Sequence, residues 1–175
     1  LTGDAQDNAF IAGAGNDTIN GGAGRDMLSF QVATGGVTAS LATGTSSGAD
    51  GNDSFINIEN LRGSEFADML SGDAGNNRIQ GRDGGDAIDG GAGDDSLHGG
   101  YGNDTLTGGA GNDTFQYSGG GEGVDRITDF VAGDVIAIAV ALTAGMPVSG
   151  TGTGVLAGGV QISQAAGLTT LYIGT

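Results

Sequence analysis

Carboxylates recur in this chain at a fixed step. Asp86, Asp95, Asp104 and Asp113 follow one another every nine residues, Asp17 and Asp26 stand nine apart near the start, and Asp68 and Asn77 extend the later series upstream. Two places after each stands one large apolar residue: Ile19, Leu28, Leu70, Ile79, Ile88, Leu97, Leu106 and Phe115. Carboxylates packed at this density repel one another unless a positive charge sits between them. Aspartate and carbonyl oxygens are the hard donors that Ca²⁺ gathers six to eight at a time, whereas Mg²⁺ demands tight octahedral geometry and keeps its waters. The chemistry this spacing suits is the holding of several Ca²⁺ ions.

The elements that position these residues follow from the period. From Gly72 the chain reads GDAGNNRIQ, GRDGGDAID, GGAGDDSLH, GGYGNDTLT and GGAGNDTFQ, with AGAGNDTIN from Ala12 and GGAGRDMLS from Gly21. The shared form is G-G-x-G-x-D-x-U-x, with U apolar. One apolar residue in nine is too sparse for a helical stripe; it suits a short strand with one inward side chain, reached through a six-residue turn. Glycines at positions two and four supply positive φ and let carbonyls turn toward a common point. Two repeats make one coil of eighteen residues, so Asp68, Asp86 and Asp104 line one column and Asn77, Asp95 and Asp113 the other, at the strand spacing of about 4.8 Å. Candidate side-chain ligands are Asp17, Asp26, Asp53, Asp68, Asn77, Asp86, Asp95, Asp104 and Asp113. Candidate carbonyl donors or close-approach points are Gly13, Gly15, Gly22, Gly24, Gly75, Gly84, Gly91, Gly93, Gly100, Gly102, Gly109 and Gly111. A flexible Gly/Asp linker has no reason to keep an apolar residue two places after each Asp.

These repeats resemble the nonapeptides of the RTX (repeats-in-toxin) family. The resemblance implies an all-β fold, a right-handed parallel β-roll or β-helix solenoid, with Ca²⁺ between its turns. It further implies a module of a larger secreted or cell-surface protein that leaves the cell through type I secretion machinery and folds on meeting calcium outside. Asn77, Gly72-Asp73 and Gly81-Arg82 depart from the pattern.

Four regions follow. Residues 1–29 hold a first repeat block, opened by LTGDAQDNAFI, and 61–116 hold the main roll, opened by the similar LRGSEFADMLS. Between them, 30–60 form an interrupting β segment, in which Val37, Ala39 and Leu41 alternate with Thr38 and Ser40 as in a half-buried strand. GADGNDSFI from Gly48 is a degenerate repeat, and NIEN (57–60) a joining stretch. The two blocks are either separate rolls or one roll with a large interruption. Residues 117–175 are expected to cap the open end. VDRITDFVAGDVI from Val124 resembles the segment that follows RTX arrays, and its Asp125, Asp129 and Asp134 are either a further cation site or solvated turns. VQIS and LTTLYI read as strands, with turns at Gly158-Gly159 and Ala166-Gly167. The start at Leu1, without Met, reads as a piece of something larger.

Composition narrows the function. Against 21 acidic residues stand 5 basic ones, for a net charge of −16, which argues against nucleic acid and anionic membrane. No cysteine is present, so thiolate sites and disulfide staples are absent, and no apolar run is long enough for a transmembrane segment. GTSSG (44–48) matches a nucleophile-elbow pattern but lacks the strand–helix context it needs, and the single histidine, His98, reads as an outward, solvated side chain. The chain is therefore expected to be no enzyme itself. Residue three of the repeats is Ala14, Ala23, Ala74, Asp83, Ala92, Tyr101 and Ala110, which is no threonine array for binding ice. Two other roles stay open: a structural repeat of an adhesin or S-layer protein, and a polysaccharide-binding module of an enzyme such as an alginate epimerase. The latter requires a groove in which some of the five arginines meet uronates.

Overall fold

The structure, a computed structural model, describes residues 1–118, 122–138, 160–165 and 168–173. All regular elements among them are strands. Seven form one sheet in the order β1 (Ala9–Ile11), β3 (Met27–Ser29), β7 (Asn60–Arg62), β9 (Arg78–Asp83), β11 (Ser96–Tyr101), β13 (Thr114–Tyr117) and β15 (Val135–Ile138). All its pairings are parallel. The second sheet runs β2 (Thr18–Asn20), β6 (Gly51–Ile56), β5 (Thr45–Gly48), β4 (Val37–Ser40), β8 (Met69–Ser71), β10 (Ala87–Ala92), β12 (Thr105–Ala110), β14 (Arg126–Ile127), β17 (Leu168–Ile173) and β16 (Val160–Ala165). The chain alternates between the sheets, so the molecule is a parallel β-solenoid.

The eighteen-residue coil is visible in the register. Phe10, Leu28, Leu61, Ile79, Leu97, Phe115 and Ile136 face one another along the first sheet. Leu70, Ile88, Leu106 and Ile127 do so along the second. These two rows meet in the narrow interior, where Leu61, Ile79, Leu97, Leu106, Phe115 and Ile127 are fully buried. A strand buries alternate residues on one face, which is why a single apolar position per repeat suffices.

One feature departs from the sequence reading, and one alternative it left open is decided. Strands β9 to β12 are six residues long, not three. Pairing continues past the apolar position into the first half of the next turn, as in Gly91↔Gly109 and Ala92↔Ala110, because identical turns stacked in register keep presenting N–H to carbonyl. The two blocks form one roll: β3 pairs directly with β7 across the interruption.

The interruption is accommodated in the other sheet. β4 pairs parallel to β8, then the chain doubles back through antiparallel β5 and β6, and β6 rejoins β2 in parallel. Val37, Ala39 and Leu41 turn inward as the alternation predicts, joined by Phe30, Phe55 and Ile58.

Beyond Gln116, β14 and β15 add further parallel rungs, and β17 pairs antiparallel to β14 through Arg126↔Thr170. VQIS lies in β16 and LTTLYI forms β17. The expected turns at Gly158-Gly159 and Ala166-Gly167 lie outside the described residues.

Candidate metal-binding ladders

In the main roll the position-six aspartates are tied to the coil before them. The Asp68 N–H donates to Asp86 Oδ1 (2.9 Å), the Asp86 N–H to Asp104 Oδ1 (2.8 Å) and the Asp104 N–H to Asp125 Oδ1 (2.9 Å). In the opposite column the Asn77 N–H donates to Asp95 Oδ1 (2.7 Å), the Asp95 N–H to Asp113 Oδ1 (2.9 Å) and the Asp113 N–H to Asp134 Oδ1 (3.0 Å). Asp68, Asp86, Asp95, Asp104 and Asp113 also lend their carbonyls to the coil above, as Asp86 O does to the Thr105 N–H. The side chains thus join the β-ladder and carry it through the turns.

The second carboxylate oxygen is another matter. Oδ2 of Asp26, Asp86, Asp95, Asp104 and Asp113 is buried without a hydrogen-bond partner. Burial of an unsatisfied carboxylate oxygen is costly, and here it recurs at the same place in five repeats. In the main roll position one is held to glycine by the same crowding: a Cβ on Gly81, Gly90, Gly99 or Gly108 would overlap Oδ2 of its own turn's aspartate. Above it, the carbonyls of positions two and four stack in columns, Gly84 O beneath Gly102 and Gly91 O beneath Gly109. The donor set offered to a guest is therefore oxygen alone, with no sulfur or imidazole, and fits a hard divalent cation.

Not every rung of the sequence pattern is left open in this way. Asp68 Oδ2 accepts from the Ser64 N–H (2.6 Å), and its Oδ1 from Ser64 Oγ (2.8 Å) and the Val37 N–H (2.8 Å). Asp53 stands over Asp17, thirty-six residues away, whose N–H donates to Asp53 Oδ1 (3.0 Å), while Ser46 Oγ donates to Asp53 Oδ2 (2.6 Å). Asn77 uses its amide, donating from Nδ2 to Glu59 O (3.0 Å) and Asp73 Oδ1 (3.2 Å). Asn77 faces the shortened NIEN connection instead of a full turn, and an amide donor satisfies that neighbour directly. The NIEN stretch closes the lower block too: Glu59 Oε2 accepts from the Asp26 N–H (2.7 Å). Asp17 is only partly buried. Among the candidate glycines, Gly13 and Gly75 lack the positive φ of the others.

Asp125 and Asp134 continue the ladders, and Asp129 accepts from the Gly108 and Gly109 N–H groups (2.9 and 2.8 Å). The step from Asp104 to Asp125 is twenty-one residues, not eighteen. Tyr117-Ser118-Gly119 shifts the phase by three, and Gly120-Gly121-Glu122-Gly123-Val124-Asp125-Arg126-Ile127-Thr128 is a further repeat that a strict nine-residue frame passes over. The G-G-x-G-x-D form itself was the signal that could have found it.

Burial governs the charge state of the ladder. Desolvation raises the Asp86 and Asp125 carboxyls to about 7 and Asp95 to about 6, and the neighbouring carboxylates push in the same direction. Asp104 and Asp113 are raised as well, chiefly by desolvation. A carboxyl whose folded pKa lies above its unfolded value near 3.8 stabilises the fold fully only below that value. The contribution is lost as pH climbs through 6 to 7. In chelator, the roll should therefore gain strand signal on acidification from pH 8 toward 4. Cation binding must displace those protons, so the calcium midpoint should move to higher concentration as pH falls from 8 to 6. Circular dichroism at fixed pH steps checks both.

His98 is more enclosed than expected of a solvated residue, because Ser118 and Glu122 close over it. Its Nε2 lies 3.2 Å from Ser118 Oγ and 3.3 Å from Glu122 Oε1.

With this geometry in place, the comparison with known families is direct. Four copies of the RTX calcium-binding nonapeptide repeat match residues 1–29, 62–97, 80–115 and 89–127, the last three overlapping, together more than half of the chain. The chain belongs to this calcium-binding repeat family, and its fold is the family's β-roll. No curated protein matches it.

Proposed function

We propose that this chain is a calcium-triggered folding module of a larger exported protein, disordered where calcium is scarce and a rigid roll where it is abundant. The observation that carries the reading is the repeated buried, partnerless Oδ2 of Asp26, Asp86, Asp95, Asp104 and Asp113. These five are the proposed side-chain ligands, with the stacked carbonyls of positions two and four beside them. A bound Ca²⁺ supplies the positive charge and the oxygen coordination that these atoms lack. Without it, a net charge of −16 and one apolar residue per nine leave too little burial to offset chain entropy. Affinity on the order of 10⁻⁴–10⁻³ M, the range of extracellular modules, would keep the chain unfolded during export and fold it outside, at the cell surface or beyond.

The same reading makes the chain a structural module and not a catalyst. It is supported by Ser46 of GTSSG, which lies within β5 with its hydroxyl buried against Asp53. Ser118 and Glu122 also share one nitrogen of His98 instead of flanking the ring as a relay requires.

Small-angle scattering tests the switch. In chelator at neutral pH the radius of gyration should approach roughly 40 Å, the scale of an unfolded chain of this length, and in millimolar calcium fall well toward roughly 16 Å. A compact radius in chelator would refute it.

A further inference from the structure

The aspartate ladders account for five buried side-chain oxygens that lack a partner, and two more stand apart from them. Tyr117 Oη and Glu122 Oε2 are also buried without a hydrogen bond, and neither residue stands at position six. One opens the three-residue slip and the other lies in the turn that follows it.

Their places in the roll follow from register. Leu97 pairs with Phe115, so two residues further on Tyr117 stacks over Gly99, at the head of the column Gly63, Gly81 and Gly99. A Cβ on Gly99 would meet Asp104 Oδ2, so Tyr117 enters the roll beside that oxygen. Its side chain is 3 % exposed. Gly123 stacks on Gly102, which sets Glu122 over Tyr101 in the column of position three. Glu65, Asp83 and Tyr101 in that column are exposed, Tyr101 at 60 %, whereas Glu122 is at 6 %. Glu122 is turned inward and held by one oxygen. Its Oε1 accepts from the Ser118 N–H (2.7 Å) and lies 3.3 Å from His98 Nε2, which leaves Oε2 to face the interior. Burial pushes the Tyr117 phenol up, and the charges of Asp125, Glu122 and Asp104 push the same way, so its hydroxyl lies among those carboxylates. A buried tyrosine hydroxyl ordinarily finds a partner, and bare carboxylates gathered beside it repel one another.

We propose that Asp104 Oδ2, Glu122 Oε2 and the Tyr117 hydroxyl hold one Ca²⁺ in a terminal site that is unlike the repeated rungs and binds more tightly than they do. The proposal rests on the calcium reading above. The repeated rungs offer aspartate and backbone oxygens. Here a glutamate adds a further carboxylate, fixed in place by Ser118, and calcium affinity rises with ligand charge and site rigidity. The ion pins the slipped turn to the last regular coil, so this site fills first and fastens the end of the roll.

The test is a terbium titration of the whole chain, read by luminescence excited through tyrosine, with a calorimetric calcium titration beside it. Terbium takes the oxygen sites of calcium, and the chain has no tryptophan, so a phenol must pass on the excitation. In the parent, emission should rise with the first equivalent, and Tyr117→Phe should lose most of it. Glu122→Gln keeps an oxygen for the Ser118 N–H, so the roll still forms, as circular dichroism in saturating calcium verifies. In this variant the tightest calcium site should weaken about tenfold or more. An unchanged tightest site in Glu122→Gln would mean that these atoms share only water, and overturns the proposal. So does undiminished first-equivalent emission in Tyr117→Phe. A parent already folded in chelator would sink the calcium switch alone, since both titrations can be run on it unchanged.

Discussion

Asp104→Ala should lower the number of calcium ions bound at saturation and move the folding midpoint to about tenfold higher calcium or more. Asp104 is 1 % exposed, its Oδ1 accepts from the Asp86 N–H, and its Oδ2 has no protein partner. Truncation removes an oxygen that faces the proposed cation and leaves a buried N–H without its acceptor, a loss of about 1–3 kcal/mol by itself. Ser46→Ala is the matched control. It also strips a buried carboxylate of a partner, since Ser46 Oγ donates to Asp53 Oδ2, and should cost a similar amount of stability. It should not lower the ion count, because Asp53, satisfied by Ser46 in the parent, is not among the proposed ligands. Calorimetric titration separates the two. An unaltered ion count in Asp104→Ala would remove Asp104 from the ligand set.

Gly102→Ala should be the most damaging single methyl group in the roll. Gly102 sits at φ +138°, and a Cβ there would run into the Gly84 carbonyl of the coil below. Neither backbone can yield without breaking a rung, so the expected loss is roughly 3 kcal/mol or more. Gly13→Ala provides the contrast: no positive φ and no atom within 4 Å of the added Cβ, hence a change within about 0.5 kcal/mol. Thermal melts at saturating calcium should separate the two variants. Equal melting temperatures would mean that the turns are looser than their stacked carbonyls require.

These contrasts show where the sequence is legible. The coil length, both inward rows and the two aspartate columns are periodic, and periodicity survives without coordinates: Leu97 and Asp104 are readable from spacing alone. The path of 30–60 is not. β5 is Thr-Ser-Ser-Gly, with no apolar residue to mark its inward face, and its one buried side chain, Ser46, is there to satisfy Asp53. The ends of the ladders are equally hidden. Glu59 and the Asn77 amide complete rungs by hydrogen bonds to the adjacent coil, whereas Ser64 closes Asp68 from within its own turn. Whether an aspartate is left open or closed thus depends on these particular partners and not on the repeat pattern. The slip of three residues at Tyr117-Ser118-Gly119 broke the frame and hid Asp125 as the next rung. The outward row on the seven-stranded sheet emerged only from register, since Arg62, Gln80 and His98 are eighteen residues apart and unlike one another.

The most direct test of the central claim is a calcium titration of the whole chain at neutral pH, followed by far-ultraviolet circular dichroism, with magnesium in parallel. The account predicts a disordered spectrum in chelator and a cooperative gain of β signal with calcium, at a midpoint on the order of 10⁻⁴–10⁻³ M, with no response to magnesium. A spectrum already rich in β structure in chelator, and unmoved by calcium, would contradict it.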